Sequence, residues 1–387
     1  MSVPLISPNS DVPAVDPGVV RGRAVVAMSG GVDSSYVAAA LASEGFEVVG
    51  IAMRLYGDPD AAAGKSCCSP DDLLDARTVA SRFDFPFYVA NYQREFRERI
   101  MDYFVAEYRA GRTPSPCVLC NDHLKFDTLL ERMTRLGGSF LATGHYARIE
   151  ERNGRHRLLR GVDRQKDQSY FLFGLRRENL SNIRFPLGDL TKEQVRSRAA
   201  ELGVPTATKP ESQDICFVGS GSYADFVEKR LTPDEIRKGP IRLAGSGETL
   251  GVHSGIHRFT VGQRRGIGVS GRRPLYVQRI DAASGTVWVA ERTELSFVHF
   301  TTERTNWLAW GVPPDRLKCT LQVRYRQQPV EATVRVDPSD STRTVVTLAV
   351  PERAISPGQA AVFYDGDEVL GGGWIDTVEG GGEPAGP

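Results

Sequence analysis

The sequence lacks long hydrophobic segments, an excess of charge of either sign, and abundant cysteine. Its longest apolar run, Tyr36 to Ala42, is far shorter than the roughly 18 residues of a membrane span, so no membrane association is expected. The 48 basic and 48 acidic side chains cancel, and a nucleic-acid partner would therefore need a local basic patch. Six cysteines in 387 residues exclude a disulfide scaffold and predict a reducing, cytoplasmic location.

The two ends of the chain differ in composition from the rest. Residues 1–22 contain several prolines but no basic start and no apolar core. This composition argues against a secretory signal and predicts a flexible extension. Residues 378–387 are mostly Gly, Glu and Pro, which predicts a disordered tail. Because no exposed apolar repeat is evident, we expect a monomer.

The first folded segment has the order strand, turn, helix, strand. An apolar run from Ala24 to Met28 leads into Ser29-Gly30-Gly31, and a helical pattern over Ser34 to Glu44 precedes an apolar run from Phe46 to Met53. Such a unit is typical of a parallel sheet. Continued alternation predicts a doubly wound α/β domain over 23–222. Its other predicted elements are helices at Leu73–Phe83 and Gln93–Arg109 and strands at Phe87–Ala90 and Phe140–Thr143.

From Gly239 onward the sequence alternates apolar and polar residues between turns. This pattern predicts small antiparallel β-domains. We place a central β-rich domain at 223–292 and a barrel-like domain at 293–377. The clearest predicted strands are Leu275–Val277, Val287–Val289, Thr320–Tyr325, Val330–Val336 and Thr344–Val350.

A glycine-rich turn, Ser29-Gly30-Gly31-Val32-Asp33-Ser34, lies where the first strand is followed by a helix. Glycine lets backbone N–H groups approach phosphate oxygens, and a helix N-terminus adds a positive dipole. Both the Walker pattern and GxGxxG are absent. The alternative is an ordinary helix capped by Asp33 or Ser34. The turn resembles the pyrophosphate-binding loop of ATP pyrophosphatases, which implies that Asp33 helps to hold Mg²⁺ against the phosphates of ATP.

Three cysteines lie in contexts that fit chemistry. Cys117 and Cys120 form a CxxC motif in a proline-rich segment, and Cys216 lies in a distant segment. They could belong to a zinc site with His123 or His145, although a second CxxC is missing. They could also be inert thiols, or a thiolate nucleophile with a sulfur-carrying partner. Of the other cysteines, Cys319 is expected to fill space, and no role is assigned to Cys67 and Cys68.

Nine stretches, in the same order, resemble the tRNA-specific 2-thiouridylase family of ATP pyrophosphatases. One such stretch could arise by chance, but nine in order are specific. They cover nearly all of the chain from Ala24 to Trp374. The stretches are AMSGGVDSS (27–35), GRTPSPCVLCNDHLKF (111–126), LATGHYAR (141–148), KDQSYFL (166–172), FPLGDLTKEQVR (185–196), KPESQDICF (209–217), GIHRFTVGQRRGIG (255–268), RYRQ (324–327) and PGQAAVFY (357–364).

The resemblance implies that the chain makes 2-thiouridine at the wobble position of tRNA. ATP would adenylate O2 of uracil with release of pyrophosphate, and a protein-borne sulfur would then attack C2 and expel AMP. Adenylation turns a poor leaving group into a good one, and a persulfide delivers the sulfur atom itself. The implied partners are tRNA and a persulfide donor protein, either a cysteine desulfurase or a relay protein.

The resemblance also assigns roles to individual residues. Cys120 would be the nucleophile, Cys216 would carry the persulfide, and a Cys120–Cys216 disulfide would form after sulfur release. The implied ATP-binding residues are Ala27, Met28, Ser29, Gly30, Gly31, Val32, Asp33, Ser34, Met53 and Gly144. The target base would contact Ser115, Pro116 and Cys117. The tRNA would contact His145, Lys166, Asp167, Gln168, Arg324, Tyr325 and Gln359.

The chain departs from the family at two positions of the base pocket. Many members have Asn at the position of Ser115 and Asp at that of Cys117. The third cysteine opens an alternative in which Cys117, Cys120 and Cys216 hold a [4Fe–4S] cluster whose open iron carries the sulfur. We prefer the persulfide scheme.

An arginine-rich stretch between Ile256 and Ile280 contains no acidic residue. Its arginines, Arg264 and Arg265 among them, predict salt-dependent contacts with RNA phosphates, whereas the alternative is a solvated hairpin. The sequence Arg324-Tyr325-Arg326-Gln327 combines an aromatic ring with guanidinium groups, which suits stacking on an unpaired base. The alternative there is a plain exposed strand.

Two other classes of protein remain to be distinguished from a thiolating enzyme. A different ATP pyrophosphatase, such as an amide-forming ligase, would explain the glycine-rich turn but leave Cys120 and Cys216 without a role. A non-enzymatic RNA-binding protein would need neither Asp33 nor the cysteines.

Overall fold

The computed structural model describes residues 21–56, 69–210, 215–218 and 221–379. The predicted extension and tail, and Cys67 and Cys68, lie outside the described residues, apart from positions 21, 22, 378 and 379. The helices are α1 (Val32–Ser43), α2 (Pro70–Arg82), α3 (Gln93–Phe96), α4 (Asp102–Arg109), α5 (Pro116–Leu119), α6 (Asp127–Arg135), α7 (Lys192–Glu201) and α8 (Tyr223–Glu228). None of the helices in the described ranges is long and apolar enough to span a bilayer.

Seventeen strands and several short helical turns complete the described chain. The strands are β1 (Arg23–Ala27), β2 (Glu47–Arg54), β3 (Phe87–Asn91), β4 (Phe140–Thr143), β5 (Ala147–Arg152), β6 (Arg155–Arg160), β7 (Ile183–Arg184), β8 (Gly239–Leu243), β9 (Thr249–His253), β10 (Leu275–Asp281), β11 (Thr286–Glu291), β12 (Ser296–Trp307), β13 (Arg316–Gln322), β14 (Val330–Val336), β15 (Thr344–Arg353), β16 (Ala360–Asp365) and β17 (Glu368–Val378). The 3₁₀ turns are Ser169–Phe171, Arg177–Asn182, Pro233–Glu235, Ile256–Arg258 and Arg292–Leu295, and the π-helices are Arg97–Met101 and Cys120–Phe126.

The chain divides into two compact units that are not continuous in sequence. Unit 1 holds the described residues of Met1–Ile100, Cys117–Ser220 and Asp367–Val369. Unit 2 holds Met101–Pro116 and the described residues of Gly221–Gly366 and Leu370–Pro387. The sequence analysis placed 101–116 in the catalytic domain, whereas the structure groups this segment with the β-rich part.

Unit 1 contains a parallel five-stranded sheet in the order β3-β2-β1-β4-β7. Its central strands are short and apolar because helices cover both faces of such sheets. The order reverses beside β1, which pairs with β2 on one side and with β4 on the other. Ligands of doubly wound folds bind in the crevice at the carboxyl ends of the strands at this switch point. The predicted α/β fold class is confirmed.

Helix α1 follows β1 and is buried over most of its length. Val37, Ala38 and Ala39 are completely buried, and the small side chains let the helix lie close to the sheet. Alanine also favours helix formation intrinsically. Gly45, with φ of +84°, reverses the chain into β2. The helix begins at Val32, two residues before the predicted start.

The predicted helix over 93–109 is present but is not uniform. It consists of α3, the π-helix Arg97–Met101 and α4, and the boundary between the two units falls inside the π-helix. Hydrophobic periodicity does not distinguish a π-helical turn from an α-helical one, and π-helical turns are frequent at functional sites.

Unit 2 contains two β structures. The first is a four-stranded sheet in the order β10-β11-β8-β9, in which β8 and β11 pair in parallel; the expectation of a purely antiparallel domain was wrong at this pair. The second is a barrel in the order β12-β15-β14-β13-β16-β17, closed by pairing of β12 with β17. The predicted strand Thr320–Tyr325 ends at Gln322, because the following residues form a turn.

Candidate functional site

The glycine-rich turn forms a compact loop at the carboxyl end of β1. The backbone N–H of Ser29 donates to Ser34 Oγ at 3.0 Å, and Ser34 Oγ donates to the Gly31 carbonyl at 3.3 Å. Gly31 is the N-cap of α1, and no side chain caps the helix. The alternative of a helix capped by Asp33 or Ser34 is therefore wrong. The first turn of α1 is arranged as an anion-binding N-terminus.

Gly30 has a conformation and a position that only glycine tolerates well. Its φ is +76°, and a Cβ would lie 2.1 Å from the carbonyl oxygen of Asp72 in α2. We expect Gly30→Ala to weaken ATP binding at least about tenfold and to cost more than the ~1–2 kcal/mol of the left-handed conformation alone. Isothermal calorimetry with ATP and urea unfolding would measure both effects.

Gly154 provides a matched control for the Gly30 variant. Its φ is +74°, but a Cβ there would meet nothing within 4 Å. Gly154→Ala should therefore report the backbone strain without the collision, at unchanged ATP affinity. Equal effects of the two substitutions would contradict the close packing of the loop on α2.

Asp33 projects from the first turn of α1 into a network of hydrogen bonds. Lys192 Nζ donates to both carboxylate oxygens, at 2.7 and 2.8 Å, and Tyr146 Oη donates to Oδ1 at 2.8 Å. Lys192 is 8% exposed and is the first residue of α7, which begins with a capping box at Thr191. A nearly buried ammonium group is thus held beside the loop by the carboxylate predicted to bind Mg²⁺.

Two more predicted ATP-binding residues lie at the same edge of the sheet. Gly144 follows β4, and a Cβ there would come within 2.9 Å of Ser34 N. Met53 is buried near the carboxyl end of β2, which pairs with β1. The structure therefore brings the ends of β1, β2 and β4 together around the loop.

The cysteines of unit 1 differ in exposure. Cys117 lies on α5 and is exposed, Cys120 begins the π-helix and is buried, and Cys216 is half-buried in a turn over 215–218. Asn121, next to Cys120, donates to the carbonyl of Phe171 at 3.0 Å, which fixes the π-helix to the KDQSYFL stretch. The Cys120–Cys216 disulfide stays a prediction.

The donor sets of the proposed metal sites can be compared with the structure. Within the four described ranges, no three His, Cys, Asp or Glu side chains are placed to share a metal ion. The three cysteines of the iron–sulfur alternative are all described, so they do not fit a cluster in this arrangement, and neither does the zinc alternative. Asp33 fits Mg²⁺, because this ion is commonly held by one carboxylate together with substrate phosphates.

His145 lies beside the π-helix that carries Cys120. Its ring packs on Phe126 with centroids 5.7 Å apart, and its Nδ1 is 2.7 Å from Thr143 Oγ1. Burial and, to a lesser extent, Lys125 hold the pKa of His145 well below its usual value. The imidazole is therefore neutral at physiological pH, and it packs against the π-helix through Phe126.

Asp167 and Gln168, two predicted tRNA contacts, bind protein atoms. The Asp167 carboxylate accepts hydrogen bonds from Arg160, from Gly161 N at 3.0 Å and from Ser169 N at 3.1 Å. Gln168 Oε1 accepts from Tyr146 N at 3.0 Å. Both side chains therefore hold the turn whose Phe171 carbonyl accepts the hydrogen bond from Asn121. Lys166, at the start of the same stretch, is half-buried.

In unit 2, the proline-rich loop before α5 is fastened to the barrel. Gln359 Nε2 donates to the carbonyls of Thr113 and Pro114, both at 3.0 Å. Thr113 N donates to Pro357 O at 2.8 Å, and Arg112 is paired with Glu107, Glu303 and Asp376. Gln359, a predicted tRNA contact, thus holds the loop that contains Ser115, which is 7% exposed, and Pro116.

The arginine-rich segment Arg324 to Gln327 of unit 2 makes contacts within the protein. Arg324 is 45% exposed and pairs with Glu352 at 3.1 Å. Arg326 lies over the ring of Tyr325, with its Cζ 5.2 Å from the centroid. This segment is a turn after β13, so the alternative of a plain exposed strand is wrong.

Three arginines between Ile256 and Ile280 contact side chains of the protein. Arg258 pairs with Glu228, Arg273 with Glu291, and Arg279 lies over Trp288. Five arginines of the stretch are exposed: Arg264, Arg265, Arg272, Arg273 and Arg279.

Comparison with known proteins identifies the family. Three family models match in order: tRNA methyl transferase HUP domain over 22–220, tRNA methyl transferase PRC-barrel domain over 224–291, and aminomethyltransferase beta-barrel domain over 297–375. The tRNA-specific 2-thiouridylase MnmA of Geotalea uraniireducens is 46% identical over 367 residues, which are 92% of this chain and 95% of that protein. This chain belongs to the tRNA-specific 2-thiouridylase family.

A second relative of this 2-thiouridylase family member shows the same similarity. The MnmA protein of Geobacter metallireducens is 47% identical over 92% of this chain and 98% of that protein. The predicted family is confirmed, and with it the prediction of a tRNA sulfurtransferase. Among solved structures, a 4-thiouridine synthetase–RNA complex with bound ATP is 16% identical, with a TM-score of 0.33, over 51% of this chain and 45% of that chain.

Sequence reasoning did not single out three polar residues around the glycine-rich turn. Lys192, Tyr146 and Lys209 contact the glycine-rich turn at 29–34, which we call the phosphate loop: the first two bind Asp33 and the third binds Gly30. Lys192 lies in a stretch already matched to the family, directly after Thr191, whose capping box with Gln194 marks a helix start. A lysine at the first position of a helix, where acidic residues are favoured, was the available signal.

Proposed function

We propose that this enzyme forms 2-thiouridine at the wobble position of tRNA, with ATP and a cysteine persulfide as co-substrates. The observation that carries the proposal is the phosphate loop at the switch point of the sheet, in the same unit as Cys120 and Cys216. A loop for pyrophosphate release without a sulfur nucleophile would support only ligation. The two together support activation of a base followed by sulfur transfer.

The first step is adenylation. Uracil O2 attacks the α-phosphorus of ATP, an O–P bond forms, and the bond to pyrophosphate breaks. The N–H groups of α1 and the buried Lys192 ammonium supply positive charge where pyrophosphate develops negative charge. Asp33 would hold Mg²⁺, which neutralises phosphate charge when bound. Gly144 and Met53 would border the nucleotide.

The second step is sulfur transfer. The outer sulfur of a Cys216 persulfide adds to C2, and AMP leaves with the electron pair of the C2–O bond. The Cys120 thiolate then attacks the inner sulfur, the S–S bond breaks with its electrons on the transferred sulfur, and a Cys120–Cys216 disulfide forms. Cellular thiols supply the two electrons that reduce it. The persulfide itself comes from a donor protein.

Exposed residues of unit 2 would supply RNA contacts in this proposal. Arg264, Arg265 and Arg324 are exposed and cationic, which suits phosphate contacts. Tyr325 would stack on an unpaired base. Cys117 and Ser115 would border the target base, while Lys166, His145, Asp167, Gln168 and Gln359 would act mainly by shaping its surroundings.

The test is mass analysis of wobble uridines in tRNA from cells with and without this chain, followed by reconstitution with ATP, tRNA and a persulfide donor. We expect 2-thiouridine to disappear in the deletion strain and to return with the intact gene. Purified enzyme should release one AMP and one pyrophosphate for each thiolated tRNA. Unchanged thiolation in the deletion strain would refute the proposal, and full ATP–pyrophosphate exchange without RNA would favour a ligase.

A further inference from the structure

The two oxygens of the Asp33 carboxylate differ in the hydrogen bonds that they accept. Oδ1 accepts from Lys192 Nζ at 2.7 Å and from Tyr146 Oη at 2.8 Å, whereas Oδ2 accepts from Lys192 Nζ at 2.8 Å. Each carboxylate oxygen offers two lone pairs. Both lone pairs of Oδ1 therefore have donors, and the contacts made by the described residues occupy only one lone pair of Oδ2.

The Tyr146 hydroxyl is carried by a side chain with little freedom to move. Its ring is 3% exposed and belongs to the hydrophobic core that includes Val37 of α1. Tyr146 N donates to Gln168 Oε1 at 3.0 Å, and Gln168 N donates to Tyr146 O at 2.9 Å. A Cβ on Gly161 would lie 2.9 Å from the same carbonyl oxygen. The ring and its backbone are thus fixed, and the hydroxyl stays at Oδ1.

Lys192 alone does not distinguish the two oxygens, because its Nζ lies at nearly equal distances from both. The lysine is itself held in place: its backbone N–H donates to Asp163 Oδ2 at 3.0 Å, and its Nζ lies 5.8 Å from the centroid of the Tyr146 ring. The χ2 torsion of aspartate is broad and roughly two-fold, so it selects neither oxygen. Among the described residues, Tyr146 is the contact that makes the oxygens of Asp33 different.

A hydroxyl group occupies a lone pair without adding charge to the site. Mg²⁺ is commonly bound by one or two carboxylates together with substrate phosphates. A second ammonium or a guanidinium group on Oδ1 would repel a divalent cation at the neighbouring oxygen, whereas a neutral phenol does not. Carboxylates that bind metals are generally oriented by hydrogen bonds of this kind from residues behind them.

We propose that Tyr146 is a positioning residue that fills Asp33 Oδ1 and directs a divalent cation to the remaining lone pair of Oδ2. The inference rests on the proposed function, in which Asp33 holds Mg²⁺, and adds to it which oxygen is the ligand and what selects that oxygen. Tyr146→Phe keeps the ring in the core but removes the donor to Oδ1. The two oxygens then become alike, and the carboxylate loses its fixed orientation toward the cation.

The experiment measures binding of Mn²⁺, a paramagnetic substitute for Mg²⁺, to the full-length protein with a non-hydrolysable ATP analogue, the protein being in excess over the analogue. Electron paramagnetic resonance reports the free Mn²⁺. Tyr146→Phe should weaken Mn²⁺ binding about tenfold, the lower end of the range for losing a group that orients a metal ligand.

The dependence of the reaction on Mg²⁺ separates positioning from a merely structural role. In Tyr146→Phe, pyrophosphate release with tRNA should fall at low Mg²⁺ and recover to within about threefold of the unsubstituted rate at saturating Mg²⁺. A structural defect would instead lower the rate at every Mg²⁺ concentration. The variant should also bind the analogue without metal as the unsubstituted protein does, which shows that the site is folded.

Two further variants serve as controls. Tyr223→Phe removes a half-buried hydroxyl of unit 2 that lies 3.3 Å from Thr260 Oγ1, and it should leave Mn²⁺ affinity unchanged. Asp33→Asn removes the proposed ligand itself and should weaken Mn²⁺ binding more than Tyr146→Phe does.

The outcomes distinguish this inference from the proposed function. Unchanged Mn²⁺ affinity in Tyr146→Phe, with a clear loss in Asp33→Asn, would overturn the positioning role alone, and so would a rate that is lowered equally at all Mg²⁺ concentrations. If Asp33→Asn binds Mn²⁺ as tightly as the unsubstituted protein, Asp33 is not the ligand and the inference fails. A protein that shows the expected Mn²⁺ affinities but does not thiolate tRNA would support the positioning role and refute the proposed function.

Discussion

Replacement of Asp33 by Asn is expected to reduce adenylation of tRNA at least about a hundredfold, the scale of losing an essential electrostatic group in an active site. The substitution removes the carboxylate that would hold Mg²⁺ and that accepts two hydrogen bonds from Lys192, which is 8% exposed. We also expect unfolding free energy to fall by about 1–3 kcal/mol, because a nearly buried charge loses its ion pair. Pyrophosphate release and urea unfolding measure the two effects.

The two consequences of Asp33→Asn can be separated with a second substitution. The double variant Asp33→Asn/Lys192→Met also removes the ammonium group that the Asp33 carboxylate neutralises, and it should recover stability without recovering adenylation. Glu151→Gln, an acid-to-amide change at an exposed position of β5, should change neither. Normal turnover by Asp33→Asn would contradict the assignment of the phosphate loop.

Replacement of Cys216 by Ala is expected to stop sulfur transfer while adenylation continues. Adenylated tRNA should accumulate, with up to one pyrophosphate released per enzyme active site, and 2-thiouridine should fall at least about a thousandfold, as for the loss of a covalent-catalysis residue. Acid-quenched mass analysis of the tRNA measures both species. Absence of any adenylated intermediate would count against the two-step scheme.

Two other cysteines serve as controls for Cys216. Burial, with a smaller effect of Asp365, raises the pKa of Cys319 to about 12, and its side chain packs against the barrel core. Cys319→Ala should therefore leave thiolation intact. Cys117→Ala tests the persulfide scheme, which predicts at most a modest loss; a loss equal to that of Cys216→Ala would count against this scheme.

The α/β class was predictable because the signals are local. Three signals can each be recognised from a few consecutive residues: the apolar run of β1, the glycine-rich turn and the alanine-rich α1. The family blocks also located the loop and the cysteines. In contrast, the parallel pairing of β8 with β11 depends on contacts between distant segments, and alternation is the same for both strand directions.

The polar partners of the site were not predictable either, because they lie far apart in the sequence. Asp33 and Lys192 are 159 positions apart in the sequence and meet only in the folded chain. Gln359, expected to contact tRNA, donates to the carbonyl of Thr113, 246 positions away in the sequence. Sequence could identify these residues as belonging to functional stretches, but only the fold shows that several of them hold protein atoms.

Assigning Met101–Pro116 to unit 2 has a practical consequence for dissecting the protein. Phe104 packs on Phe226 of α8, and Tyr108 packs on Tyr223. A truncation after residue 222 would therefore remove the rings that contact this segment. Fragment expression by a single cut would yield an N-terminal piece in which Phe104 and Tyr108, shortly before Cys120 in the sequence, lack these contacts. Separate production of the halves therefore calls for co-expression or circular permutation.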